Sequence, residues 1–259
     1  MKTTKRGKWQ VASDAIKGEA REVHSRHMSR VTRHPFAFTL IELLTVIAII
    51  GVLATFSFSA LGRIKRQQYI GNATAEMEKL ETAIERYKAA YGFYPPDNPA
   101  NALVNQLYFE LLGTTNLAIP PAAPFYQSLD DPTIQLQQSD LNTAFGPSVS
   151  GFMNCSKPGS GEDAPRAQNF LLNYKPDQII LFSNNNVGIK IIVTSVAGPD
   201  ITYKPLGPGA TGINPWRYNS SSPTNNPGGY DLWVQLCISG KTNLICNWDK
   251  QVQLNSPLP

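Results

Sequence analysis

Residues 34–62 read HPFAFTLIELLTVIAIIGVLATFSFSALG, and from Leu43 to Gly62 the run carries no charge. With Phe38 to Ile41 in front it is long enough, as a helix, to cross roughly 30 Å of hydrocarbon. A buried core helix is rarely apolar on every face over such a length. A cleaved secretory signal has a shorter apolar run of about 7–15 residues, although Ala60-Leu61-Gly62 mimics its ending. The sequence therefore predicts a transmembrane helix. Its anomaly is Glu42, a carboxylate in apolar surroundings, which is costly in a membrane and calls for a partner. Arg33 lies beyond Pro35 and Arg63 stands about 21 residues away, roughly 30 Å along a helix. The expected partner is a cation from elsewhere, and an amine freed at Phe38 of a second copy would serve.

Charge is distributed unevenly around this run. The chain of 259 residues has 23 Lys+Arg, 19 Asp+Glu and a net charge of +4, yet residues 1–37 hold nine basic and three acidic residues. Everything after Ala37 is mildly acidic, so no nucleic-acid partner is expected, and the basic excess bears on topology. By the positive-inside rule the leader is cytoplasmic and the body lies outside, Arg63, Lys65 and Arg66 weakening this without reversing it. All three histidines, His24, His27 and His34, precede residue 38. A chain cut there has no imidazole, which excludes Ser-His-Asp and Cys-His catalysis and any His-liganded metal. With no clustered carboxylates either, the reading is not an enzyme.

HPFAFTLIELLTVIAIIGVLA closely resembles the amino-terminal cleavage and methylation segment of type IV prepilins and type II secretion pseudopilins. The resemblance implies cleavage between Ala37 and Phe38, N-methylation of Phe38 and a subunit-registry role for Glu42. It also implies a prepilin peptidase, a cytoplasmic assembly ATPase and a polytopic platform protein as partners, beside self-assembly through the helix. The chain departs from the family in having Ala37 where Gly usually precedes the cut. It also lacks any proline between Pro35 and Pro95, so helix weakening rests on Gly51, with Ser57 and Ser59 as helpers. A start at Met28 would leave MSRVTRHPFA, a short basic leader of the usual kind.

Past the membrane, Ile70, Ala73, Met77, Leu80, Ile84, Tyr87 and Tyr91 step by three and four, one apolar stripe on a helix that Gly92, Pro95 and Pro96 stop. Glu76 with Lys79, and Glu81 with Glu85 and Lys88, read as a solvated face. Continuous from Phe38, this helix would span about 80 Å. The fold class is α+β and pilin-like: a leader at 1–37, a transmembrane half at 38–62, an amphipathic half at 63–92, a long irregular connecting loop at 93–186 and an antiparallel sheet at 187–259. Within the loop, 101–112 has helical spacing and a short helix is expected at 167–172. Strand runs are expected at 178–182, 188–196, 216–219, 230–236 and 243–248, joined as a meander.

NPWRYNSS, GGYDLWVQL and GKTNLICNW resemble the sheet of the major pseudopilin of type II secretion. That family often binds calcium after its Y-D-L strand, but here the segment Val234 to Cys237 lacks the acidic run a hard cation needs. No cofactor is expected; Asp231, Asn243 and Asp249 are weak calcium candidates, and Asp231 reads better as a strand start or surface residue. Cys237 and Cys246 flank a hairpin in an oxidising compartment, so a disulfide is allowed and geometry decides it, leaving Cys155 unpaired. Trp216, Tyr218, Trp233 and Trp248 read as core ahead of a sugar-stacking surface.

The leading functional reading is a structural pseudopilin, single-pass in a bacterial inner membrane with a periplasmic head, assembled into an extracytoplasmic helical filament for type II protein secretion. The alternatives are a minor type IV pilus pilin for adhesion or DNA uptake, or a membrane-anchored glycan-binding module. Glu42 separates the last from the others, since a plain anchor gains nothing from it.

Overall fold

The apolar stripe is present. In the computed structural model, which describes residues 38–118, 122–157, 166–196, 205–207, 209–210, 212–238 and 240–255, with the side chains of 56–61 outside the description, α1 runs Leu40–Tyr91. The chain divides into two units, one through Val52 and one from Leu53 onward, and α1 contributes to both. In the second unit Ala73, Met77, Leu80, Ile84 and Tyr87 are buried and Ile70 and Tyr91 pack at the margin. Gly92, at φ 84°, accepts the left-handed conformation that closes the helix, and its N–H donates to the Lys88 carbonyl at 2.7 Å.

Against the stripe lies a four-stranded antiparallel meander, β7 (Arg217–Asn219), β8 (Asp231–Ile238), β9 (Lys241–Cys246) and β10 (Asp249–Leu254), in spatial order β10-β9-β8-β7. Trp216, Tyr218, Leu232, Val234, Leu236 and Ile245 complete the core. Two polar links tie helix to sheet and loop. Arg66 donates through Nε and Nη2 to Asn243 Oδ1 at 3.1 and 2.7 Å, and Glu76, itself buried, accepts from Ser195 N and Ser195 Oγ. The runs expected at 178–182 and 188–196 form a separate hairpin, β5 (Ile179–Asn184) with β6 (Val187–Ile192), rather than joining the meander. Asn185 and Asn186 turn it at φ 49° and 67°, the pair of positive angles a tight two-residue turn requires.

The connecting segment differs most from expectation. Residues 93–186 are not one irregular loop. They contain α2 (Leu107–Leu112), α3 (Gln138–Phe145) and a second sheet, β3-β2-β1-β4, built from β1 (Thr114–Asn116), β2 (Phe125–Ser128), β3 (Gln135–Gln137) and β4 (Cys155–Ser156). Only the β1–β4 pairing is parallel. No helix forms at 167–172, because its backbone donors serve other elements: Gln168 N bonds Asn154 Oδ1 at 2.8 Å and Phe170 N bonds the Leu111 carbonyl at 2.8 Å.

At the centre of this region Glu110 is fully buried. Its Oε1 accepts from Met153 N at 2.9 Å, and its Oε2 from Tyr87 Oη at 2.8 Å and Asn154 N at 3.0 Å. Asn154 Nδ2 in turn reaches the carbonyls of Glu110 and Gln168, and its Oδ1 accepts from Tyr91. The network joins α1, α2, β4 and the 166–171 segment, and every polar group named in it is partnered, the condition under which a buried polar cluster rigidifies a fold.

The disulfide that the sequence allowed is not formed. Cys155, Cys237 and Cys246 are free thiols. The β8–β9 register sets Cys246 opposite Trp233 and Cys237 opposite Thr242, four residues or about 13 Å apart along the sheet, beyond the roughly 7 Å Cα limit for a bridge. A reductant should therefore leave the melting temperature of the purified chain unchanged, and differential scanning calorimetry with and without dithiothreitol measures it.

Candidate functional site

The residues that stand out chemically are the exposed apolar ones at the start of α1. From Leu40 to Leu53 every Leu, Ile and Val of α1 is about half exposed or more, and Phe38 and Leu40 reach 80% and 81%. A helix places such a run on all its faces. Surfaces of this extent on soluble proteins mark contacts with membranes or other chains. Burying these ten aliphatic side chains is favourable by on the order of 20 kcal/mol, at roughly 1.5–3 kcal/mol each.

The start of this helix is a capping box. Glu42 Oε2 accepts from Thr39 N and from Thr39 Oγ1, both at 2.8 Å; Glu42 N donates to Thr39 Oγ1 at 3.3 Å, and Leu43 N to the Thr39 carbonyl at 3.2 Å. Threonine followed three positions later by glutamate satisfies two of the orphan donors of a helix start reciprocally. The expectation for Glu42 concerned a cation, and none of these local bonds supplies one. Its local partners are neutral donors, and the [ST]-x-x-E signal was legible in Thr39-Leu-Ile-Glu42. Among the described residues Oε1 of Glu42 takes no hydrogen bond, so one oxygen of an exposed carboxylate is open to a further donor.

Ala37 and the rest of the leader lie outside the described residues. Gly51 sits inside the helix with nothing within 4 Å of where a Cβ would stand, so any weakness there is the roughly 1 kcal/mol backbone propensity of glycine. Among the described residues no helix is long and apolar enough to cross a membrane. The side chains of 56–61, over which the uncharged run of the sequence continues, lie outside the description, and with them part of the expected transmembrane half at 38–62.

The calcium candidates do not converge. Asp231 opens β8, as a strand start should, but is buried: its carboxylate accepts from Thr224 N, Asn225 N and Asn226 N at 2.8–2.9 Å and fastens the 224–226 loop. Asn243 Oδ1 already faces the Arg66 guanidinium. Asp249 accepts from Gln251 N and Gln253 Nε2 within its own strand, and these bonds lower its carboxyl below the usual range. Among the described residues no group of three or more His, Cys, Asp or Glu is placed to hold a metal. Trp216 and Tyr218 are core residues, and Trp233 is buried against Trp248 at 5.8 Å between ring centroids, so these aromatics offer no open platform for a sugar.

An exposed apolar helix start that bears a capped carboxylate is a surface suited to burial against a membrane or another chain. Residues 33–58 match the prokaryotic N-terminal methylation motif. The type IV major pilin protein PilE1 of Neisseria gonorrhoeae is 36% identical over 63 residues, 24% of this chain and 29% of that pilin. The chain thus spans under a third of the length of the curated relative it matches. No solved structure matches. Residues 33–58 thus carry a prepilin-type amino-terminal motif, and the likeness to known proteins is confined to this end of the chain.

Proposed function

We propose that this chain is a filament subunit cut between Ala37 and Phe38, methylated at Phe38, held in the bacterial inner membrane by residues 38–62 with its head outside, and assembled through that helix. The observation that carries the reading is the exposed apolar helix headed by Thr39 and Glu42. One membrane carboxylate costs about 2.5–3.5 kcal/mol on insertion scales, small against the roughly 20 kcal/mol above, so Glu42 does not keep the helix in water. After cleavage the Phe38 amine is the nearest new cation, and the open Oε1 of Glu42 on a neighbouring copy is where it docks. The peptidase, ATPase and platform protein implied by the family complete the scheme.

Within this class, the carboxyl-terminal resemblance supports a type II secretion pseudopilin. The ordered sheet and helices between residues 93 and 186 support a second reading, a minor or surface-exposed type IV pilus subunit, since such an insertion adds head surface that a purely internal filament does not need. Immunogold labelling of intact cells separates them: label along surface fibres supports the pilus subunit.

Mass spectrometry of the amino-terminal peptide from membrane-extracted native protein tests the processing. The expected result is a peptide beginning with N-methylated Phe38. An intact leader on the assembled protein overturns the reading and moves a plain membrane-anchored module to first place.

A further inference from the structure

In the half of α1 that carries the head, the two flanks beside the buried stripe differ in charge. On one flank Glu81 and Glu85 line two adjoining grooves of about 400 and 480 Å³, which share Glu81 and Asn247 and are walled by the β9–β10 turn and the 225–230 loop. On the other flank Lys79 and Arg86 line a groove of about 500 Å³ whose far wall includes Leu172, an apolar side chain 58% exposed. Glu78 stands on the ridge between them.

Among the described residues none of these charges forms an ion pair, and the opposite charge acting on Glu85 is that of Lys88. Among the described residues the ion pairs are those of Lys190 with Asp130 and Asp131, and the side chains of Lys79, Glu81, Glu85 and Arg86 make no hydrogen bond. Lys88, on the acidic flank, is committed to Tyr94 Oη at 2.8 Å, and Lys250 at the rim of that flank stands beside Asp249. Carboxylates spaced three and four apart, as Glu78, Glu81 and Glu85 are, repel by a few tenths of a kcal/mol each. Partial burial and these neighbours push the Glu81 carboxyl above its usual range. Such a strip is relieved by an external cation.

We propose that copies of this chain pack side by side along these flanks, Glu81 and Glu85 of one copy facing Lys79 and Arg86 of the next. The complement sits on the same helix at the same level: Arg86 is one residue from Glu85 and Lys79 two from Glu81, axial differences of about 1.5 and 3 Å. A contact between two different faces of identical chains is heterologous and propagates instead of closing as a dimer. Leu172 enters the contact from the basic side and removes its exposed surface from water. The inference rests on the filament reading, which supplies parallel neighbouring helices.

Charge exchange tests it in the full chain. The doubly substituted E81K/E85K chain and the doubly substituted K79E/R86E chain should each lower recovered filament at least tenfold with unchanged melting temperature. Producing both together should restore filament, because each reversed flank then meets an opposite one, and so should reversing all four in one chain. The same mixing experiment on detergent-extracted full-length chains, followed by sedimentation at low salt and at 0.5 M salt, reads the contact without any filament; screening of exposed pairs predicts association only at low salt. If wild-type filaments form but neither reversal weakens them, or co-production restores nothing, the flank contact is wrong and the filament reading stands. If chains associate in detergent with this charge dependence while native cells yield no filament, the filament reading fails and the contact stands. Detergent-extracted wild-type chains that stay monomeric at low salt overturn the proposal outright.

Discussion

Replacing Glu110 by Ala is expected to lower the melting temperature of the head by on the order of 10 °C. Three donors, the buried Tyr87 Oη and Asn154 N and the part-buried Met153 N, lose their acceptor at once. Each orphaned buried donor costs about 1–3 kcal/mol, so the loss is on the order of 4 kcal/mol. At roughly 2–4 °C per kcal/mol for a unit of this size, that is a large part of the whole margin. Glu110→Gln should lose less, because its amide oxygen keeps one of the acceptor positions while its NH2 group meets the Asn154 donor. Burial raises the Glu110 carboxyl above its ordinary range, although the three hydrogen bonds work the other way. A raised folded-state value means the group's titration favours folding below the ordinary carboxylate range and loses that contribution as pH rises through the raised value. The stability difference between wild type and Glu110→Gln should therefore widen as pH falls toward 4. Thermal melts of both proteins across that window measure it, and a difference flat with pH shows a carboxylate charged throughout.

The Glu110 network also explains which parts of the fold were readable in the sequence. The α1 stripe was legible because seven apolar residues repeat at helical period over some twenty positions, and a buried face leaves no other arrangement. The β7 to β9 runs were legible because Trp, Tyr, Leu and Ile cluster in them between Gly- and Pro-rich turns. The β1–β4 sheet was not, since strands of two to four residues such as Cys155–Ser156 and Gln135–Gln137 are too short to display a period. What holds them is long-range: Asn154, which reads as one more loop asparagine, sits at the junction of four segments. The strand β10 was missed because DKQVQL is a polar edge strand whose side chains are mostly solvated. At the site, the apolar run was legible in the sequence; the Thr39 cap is written there too, but as a neutral hydrogen-bonded pair that a charge pattern does not display. The cysteine pairing turned on register alone, and register is a property of two strands that neither shows by itself.

Glu42→Ala is expected to leave membrane association unchanged and to reduce incorporation into filaments more than tenfold. Losing the capping box costs the helix about 0.5–2 kcal/mol at its first turn, little against on the order of 20 kcal/mol of apolar burial. Removing the carboxylate also relieves the membrane of a polar group, so extraction with the membrane fraction should stay as it is or improve. Two different roles nevertheless reside in this one side chain: Oε2 starts the helix through Thr39, and Oε1 is open for an amine. Glu42→Gln divides them. Glutamine at the third helical position still completes a capping box, because its amide oxygen accepts from Thr39, but it brings no charge to an amine in a low-dielectric contact. Thr39→Val makes the converse change, removing the hydroxyl while the carboxylate keeps its charge. If Glu42 works by charge registry, the Gln variant fails to assemble like the Ala variant and Thr39→Val assembles in reduced but measurable amount. If it works by capping alone, Gln assembles normally and Thr39→Val resembles Ala. Quantifying sheared filament against membrane-bound subunit for the four chains decides between them, and normal assembly by Glu42→Gln would sink the registry role while leaving the cap in place.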